Sequence, residues 1–408
     1  MDRRLTRFDE FPRHQIGATF DMVADGSPHW SDGYYFTMGD PDGRFGWFMG
    51  LRLHANNDVL DAFSCVSFGD DASGSSTGKQ RNMRWSRRLR PAIDDLECGP
   101  MSVEILEGLR TLRLRCDPNP EGQSFDLLWE GWCAPYNEDH IQVVVNGRLH
   151  SDRSNYLQCS TVSGWIDIDG ERVEVDGWTG VRDHSWGIGN NTGGPRSAAI
   201  APPAERAALP GLRQWCVFKM RDRAIFWQFH HPGGSNPYSK FESRCMYPYS
   251  NDNDNGNDND NGNDNGNDNG NGSFAYTSIE HDVSFMEVDG RRVPRLKEAD
   301  IRLRRPDGMV ERYRIEPISF PVYLQGGGYF NGYDDGQGRG AYRGDLVHEG
   351  ETWAIDRGVH VDAPKGIALN RAHYAEAWGR CTNLDDPSDV GDGHLECVVL
   401  GPYPGFGS

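Results

Sequence analysis

The sequence predicts an all-β protein built from two antiparallel units with little helix. Three observations carry that expectation. The chain of 408 residues exceeds a comfortable single core, so two units are the default. Its apolar area is concentrated in rings, with 12 Trp, 15 Tyr and 18 Phe, and aromatic side chains suit half-buried strands. Finally, 50 glycines and 23 prolines supply turns at short intervals.

The elements follow in order. An irregular lead-in through Phe8, Phe11 and Pro12 gives way to residues 30–36 and 45–53, two aromatic-rich runs. The Pro41-Asp42-Gly43 turn between them makes a hairpin. Residues 59–68 read as the next strand, and 69–79 as a polar loop. Residues 101–106, 109–115 and 124–130 alternate, at least roughly, between apolar and polar. Leu112 and Leu114 would face in while Arg110, Arg113 and Arg115 face water. Residues 141–145 and 156–160 look like further strands. Strands this short and this regularly punctuated point to an antiparallel sandwich or barrel.

Residues 165–175 form the clearest hairpin and lead into the centre of the chain. Residues 193–211 read as a loop, or as a short helix near 204–209. Strand pattern resumes at 214–220 and 224–230. Residues 251–272 contain only Asn, Asp and Gly. Such a tract buries no apolar area and reads as a disordered insertion. It also lacks calcium-loop spacing: after Asp252 and Asp254 the next ligand position is Gly256, and no glutamate closes the loop. Beyond it, residues 283–288, 299–303 and 310–315 are strands, the last two joined by a second Pro-Asp-Gly turn at 306–308. A glycine- and tyrosine-rich stretch, 326–344, precedes a run at 346–355.

A formal charge of −19 argues against nucleic acid and against anionic membrane surfaces. The charged amino terminus has no signal-peptide core, and no run of 18 apolar residues occurs, so a soluble, cytoplasmic protein without stable membrane insertion is expected. The nine cysteines include no C-x-x-C pair, which fits free thiols rather than a zinc or redox motif. His230-His231 lacks a spaced third ligand, so no metal is expected. There is no G-x-S-x-G elbow, P-loop or dinucleotide fingerprint, and no cofactor is expected.

The segment that stands out is Gly177-Trp178-Thr179-Gly180-Val181-Arg182-Asp183-His184-Ser185-Trp186-Gly187-Ile188-Gly189. It sets an acid, a base, a cation and two indoles among four glycines, near the middle of the chain. A fixed Asp-His pair suits proton transfer; it equally suits a structural joint between strands or units. Tyr342, Asp345, His348 and Glu349 form a second polar cluster that reads as solvated surface.

Gly180, Arg182, Asp183, His184, Ser185, Trp186 and Gly187 resemble the hydroxyneurosporene synthase (carotenoid 1,2-hydratase) and AttH-like family. Phe11-Pro12-Arg13-His14, Tyr34-Tyr35-Phe36 and Gly340-Ala341-Tyr342-Arg343-Gly344 support the resemblance. It implies two tandem lipocalin-like (calycin) antiparallel β-barrels, here expected at 1–176 and 177–408. It also implies a cavity for a hydrophobic isoprenoid, carotenoid or steroid-like molecule. The chemistry it implies is acid-initiated hydration, cyclisation or isomerisation, by a hydro-lyase or an isomerase. In that reading Asp183 and His184 are catalytic, Asp183 kept protonated by burial. Trp178, Arg182, Trp186 and Tyr342 contact the ligand, the indoles facing a developing cation. Arg182 and Asp183 would point oppositely on a strand. A non-catalytic lipocalin-like carrier is the alternative. A carbohydrate-active β-sandwich ranks below both, because no paired carboxylates are evident.

Overall fold

The computed structural model describes residues 5–14, 16–69, 76–189, 211–233, 238–249, 272–358, 361–362, 375–400 and 403–406. The Asn/Asp/Gly tract and the stretch around 193–210 lie outside them. Helix among the described residues is confined to four short 3-10 turns.

The first half forms β1 (Trp30–Gly39), β2 (Phe45–His54), β3 (Val59–Gly69) and β4 (Thr77–Arg88). Then come β5 (Glu97–Cys98), β6 (Met101–Glu107), β7 (Thr111–Cys116) and β8 (Gln123–Gly131). Two short strands, β9 (Tyr136–Asn137) and β10 (Ile141–Val145), precede the long hairpin of β11 (Arg148–Ile168) and β12 (Glu171–Gly189). The second half opens with β13 (Gly211–Lys219), β14 (Ala224–His231) and β15 (Lys240–Met246). It continues with β16 (Ser278–Val288), β17 (Arg291–Arg304), β18 (Val310–Pro317) and β19 (Val322–Tyr323). The last are β20 (Leu346–Asp356), β21 (Val361–Asp362), β22 (Ala375–Asn383) and β23 (Val390–Leu400).

These strands make two antiparallel sheets, each curled around its own core as a lipocalin-like half-barrel. The first runs β21-β20-β4-β3-β2-β1-β12-β11-β8-β7-β6-β5, with β9 and β10 paired to β11. The second runs β15-β14-β13-β23-β22-β18-β17-β16, with β19 on β22. Both Pro-Asp-Gly turns behave as their chemistry demands. Gly43 (φ +77°) donates its N–H to Asp40 O, and Gly308 (φ +89°) to Arg305 O, conformations that glycine reaches without strain.

The sheet membership departs from a simple cut of the chain. Residue 176 falls inside β12, all of which pairs with β1 and β11 in the first sheet. The chain then builds the second sheet, returns to lay β20 against β4, and finishes in the second sheet. The return has an electrostatic reason. Arg84 on β4 is fully buried, and its guanidinium meets both oxygens of Glu351 at 2.7 Å and Glu349 at 3.0 Å. Both acids come from β20, and a buried guanidinium left without them would be costly.

Phe36, Trp47, Phe125 and Trp129 fill the centre of the first barrel, their rings meeting edge-on or tilted. A second core, including Trp227, Tyr313 and Ile301, fills the other. Between the sheets, Leu157, Cys159 and Val181 pack on Trp215, Phe226 and Trp378. All nine cysteines are buried and free. No helix among the described residues is long and apolar enough to cross a membrane.

Candidate ligand cleft at the mouth of the first barrel

Strand β12 carries the glycine-rich motif and sits between β1 and β11 in register. Tyr34 and Tyr156 flank His184, Phe36 and Gln158 flank Arg182, and Asp32 and Ser154 flank Trp186. Alternation then sorts the side chains. Arg182, His184 and Trp186 share the inner face with Tyr34 and Phe36, while Asp183 takes the outer face. Two glycines make the packing possible. A Cβ at Gly180 would lie 2.5 Å from the Trp129 ring, and Gly187 (φ +120°) brings its backbone over Asp152 O.

Above the filled centre the barrel mouth opens into a cleft of about 410 Å³. One wall is apolar: Ile105, Leu109 and Leu112 from β6, β7 and their turn. The other is Asp32, Tyr34, Tyr156, Arg182, His184 and Trp186. At the floor, the Arg182 guanidinium is 1% exposed. Its Nε and Nη2 donate to Gln158 Oε1 at 2.8 and 2.5 Å, and its Nη1 to the Tyr156 hydroxyl at 3.4 Å. No carboxylate forms an ion pair with it among the described residues. Burial accordingly pulls the Arg182 pKa down, and the tyrosines Tyr156, Tyr34 and Tyr249 oppose it.

Tyr156 joins that cation to an imidazole. Its oxygen is 3.2 Å from His184 Nδ1, and His184 Nε2 is 2.7 Å from Asp32 Oδ1. With Nε2–H donated to the carboxylate, Nδ1 is free to accept the phenol proton. Burial pushes the Tyr156 pKa up, while Arg182 draws it back. Tyr34 packs on His184 at 4.4 Å, and Trp186, 38% exposed, closes the rim 5.4 Å from it. Ile105 and Leu109 are also about half exposed, at 47% and 49%.

Of the six residues expected at the site, the cleft gathers Arg182, His184 and Trp186. Trp178 lies further along β12, packed on Phe45 at 5.7 Å. Tyr342 lies beside β4: Arg88 covers its ring at 4.7 Å, and its hydroxyl donates to Asp345 at 2.9 Å. Asp183 is turned to the seam between the sheets, where burial raises its pKa and Arg52, Arg153 and His184 oppose the rise.

Residues 5–408 match the sequence model of a family of unknown function, DUF8625. The chain belongs to the DUF8625 family. No curated protein matches the sequence. Among solved structures, a protein provisionally named AttH from Nitrosomonas europaea is similar at 11% identity and a TM-score of 0.48, over 90% of this chain and 92% of that one. CghA, solved alone and with Sch210972, is similar at 8% and 9% identity and a TM-score of 0.39, over 92% of this chain and 89% of CghA.

The DUF8625 chain also holds a buried polar row at its seam. Glu242, Gln228, Trp215, Glu396 and Glu376 are successive register partners across β15, β14, β13, β23 and β22. Facing them, Tyr35, Asp183, Leu157 and Tyr136 are register partners in the first sheet. Tyr35 donates its hydroxyl to Glu376, and Tyr136 donates to Glu242 at 3.0 Å. Glu138 receives Trp215 Nε1 at 3.3 Å and Gln228 Nε2 at 2.7 Å. Burial, helped by Asp183 and Glu242, pushes the Glu138 pKa up to about 8. Glu376, His394 and Glu396 place three ligand-type atoms within 4.8 Å of one another. Sequence reasoning missed Asp32, Tyr156 and Gln158 at the cleft, and the carboxylates Glu138, Glu242, Glu376 and Glu396 at the seam.

Proposed function

We propose that the protein binds a small molecule with an apolar body and one carbonyl or anionic oxygen at the mouth of its first barrel, and moves a proton on it. The observation that carries this is Arg182: a buried guanidinium whose partners among the described residues are all neutral, at the floor of an open cleft. Burying a cation without a counter-charge is costly. An oxygen-bearing ligand would offset that cost, and Arg182 with Tyr156 would hold it. Ile105, Leu109, Leu112 and Trp186 suit the apolar body, which agrees with an isoprenoid or steroid-like ligand.

In this reading Tyr156 is the catalytic acid–base group. It gives its proton to the ligand oxygen, or passes it to His184 Nδ1 and accepts one from the ligand. Asp32 holds the imidazole and fixes which ring nitrogen faces Tyr156. Phenol and imidazole are weak acids. They favour proton shifts beside a carbonyl over protonation of an isolated alkene, so isomerisation is the best-supported of the three reactions. Asp183 then acts at the seam rather than on the ligand. The carrier reading draws on the exposed Ile105, Leu109 and Trp186 at the rim, which would admit an apolar ligand with or without chemistry.

The test is mass spectrometry of an organic extract of the purified protein, followed by incubation of the recovered ligand with fresh protein. An apolar carbonyl or carboxylate compound that comes back isomerised supports the reading. The same compound returned unchanged supports the carrier. Extracts with no such compound, from folded protein, count against both.

A further inference from the structure

We propose that Glu376, His394 and Glu396 hold a divalent transition-metal ion, of the Zn²⁺ or Mn²⁺ class, at the seam between the two sheets. The site is built from strand register. Glu376 on β22 lies directly opposite Glu396 on β23, and His394 precedes Glu396 by two residues, on the same face. Their ligand-type atoms fall within 4.8 Å of one another. All three are buried, at 5%, 1% and 4% exposure.

Two like charges placed opposite each other on neighbouring strands are destabilising even at a surface. Inside a protein they call for a compensating cation or proton. Arg213, whose Nε is 3.0 Å from Glu396 Oε1, compensates one carboxylate. His394 is the second, independent observation. Among the described residues its Nδ1 is buried with no hydrogen-bond partner, and its Nε2, the nitrogen turned to the carboxylates, stands 3.5 Å from Glu376 Oε2, beyond a good hydrogen bond. An ion between the three groups would take a lone pair from the imidazole and separate the two carboxylates.

The surroundings match what metal sites use. Tyr35 donates to Glu376 and Arg213 pairs with Glu396, so each ligating carboxylate is held by an outer partner. Trp215 and Phe48 lie edge-on to the His394 ring at 4.9 and 5.8 Å and fix its plane. One imidazole with two carboxylates suits Zn²⁺ or Mn²⁺ rather than the all-oxygen shell of Ca²⁺. Tyr35 reaches the site from the first sheet, so an ion there would tie the sheets together. None of this depends on the cleft.

The experiment is elemental analysis of the full-length protein, purified without chelators and also refolded with Zn²⁺ or Mn²⁺. Thermal melts with and without each ion accompany it. The expected result is close to one ion per chain, a melting temperature raised by the ion, and reversal by a chelator. Glu396→Gln keeps the side-chain shape and, as a change to a ligand itself, should weaken ion binding by at least the roughly 10- to 100-fold that losing an outer-shell partner costs. His394→Ala should abolish binding; the Gln variant covers the case in which His394→Ala fails to fold. Wild-type protein that stays metal-free after refolding with either ion, with an unshifted melt, overturns the proposal. So does binding that is unchanged in Glu396→Gln.

Discussion

Replacing Arg182 with methionine separates a ligand-binding role from a structural one. The substitution keeps an unbranched chain of similar length but removes the charge. Two bonds to Gln158 Oε1 and one to Tyr156 are lost. The two bonds to Gln158 share one acceptor and the one to Tyr156 is long, so together they are worth about 1.5–3 kcal/mol in net terms, and stranding Gln158 Oε1 costs about 1–3 kcal/mol. Against that, an uncompensated buried cation disappears, which returns several kcal/mol. The two sides nearly offset, so Arg182→Met should stay within about 2 kcal/mol of wild type. At about 2–4 °C per kcal/mol, the scale for a cooperative unit of roughly 150–250 residues, its melting temperature should move by under about 8 °C.

Binding should change far more. Losing one charge-assisted contact to a ligand oxygen costs about 1.5–3 kcal/mol, which is roughly 10- to 100-fold in affinity. A suitable probe is 8-anilinonaphthalene-1-sulfonate, an anion on an aromatic body, titrated by fluorescence at two salt concentrations. Tight wild-type binding with a 10- to 100-fold loss in Arg182→Met is the expected outcome. A folded variant that binds the probe as well as wild type would refute the role given to Arg182. A loss of more than about 4 kcal/mol of stability would mark Arg182 as a strut instead.

Tyr156→Phe should keep the affinity for the extracted ligand within a few-fold and remove its isomerisation; unchanged turnover clears Tyr156 of the catalytic role. Asp183 has its folded-state pKa raised above the ordinary 3.8 by burial. The folded state therefore holds that proton more tightly than the unfolded chain, and the stability it contributes is present below about pH 4 and lost as pH rises. Asp183→Asn should accordingly match wild type near pH 4 and exceed it at pH 8 in urea melts, with ligand turnover kept. A variant that loses turnover while folded returns Asp183 to the catalytic step. Gly39→Ala would set a methyl 2.1 Å from Trp378 Cγ across the seam. Overpacking of that kind costs about 1–3 kcal/mol, readable as a lowered urea midpoint; an unchanged midpoint means the sheets separate there without cost.

The strands and turns were largely legible because they depend on neighbours in sequence. Alternation at 109–115 and Pro-Asp-Gly at 41–43 need no distant partner. The opposite directions of Arg182 and Asp183 likewise follow from period two alone. What alternation leaves open is which face meets ligand and which meets the other sheet. That is decided by pairing with residues about 150 positions away, such as Asp32 with His184. Tyr156 falls in an expected strand, yet only the β11–β12 register puts it beside His184. Tyr342 is expected at the ligand through the resemblance alone, its polar neighbours reading as surface, and Arg88 covers its ring beside β4.

The placement of β20 on β4 has a consequence for how the chain is made. Arg88 and Asp345, which pair at 2.9 Å, are 257 residues apart. At about 5–20 residues per second, the ribosome needs tens of seconds to deliver the second after the first. Through that interval β4 is a bare edge, a template for unwanted pairing, and Arg84 waits without its glutamates. The first barrel is thus finished by the last third of the chain. A gene fragment ending at Gly189 would encode every strand of that sheet except β20 and β21 and still yield a protein with an open flank.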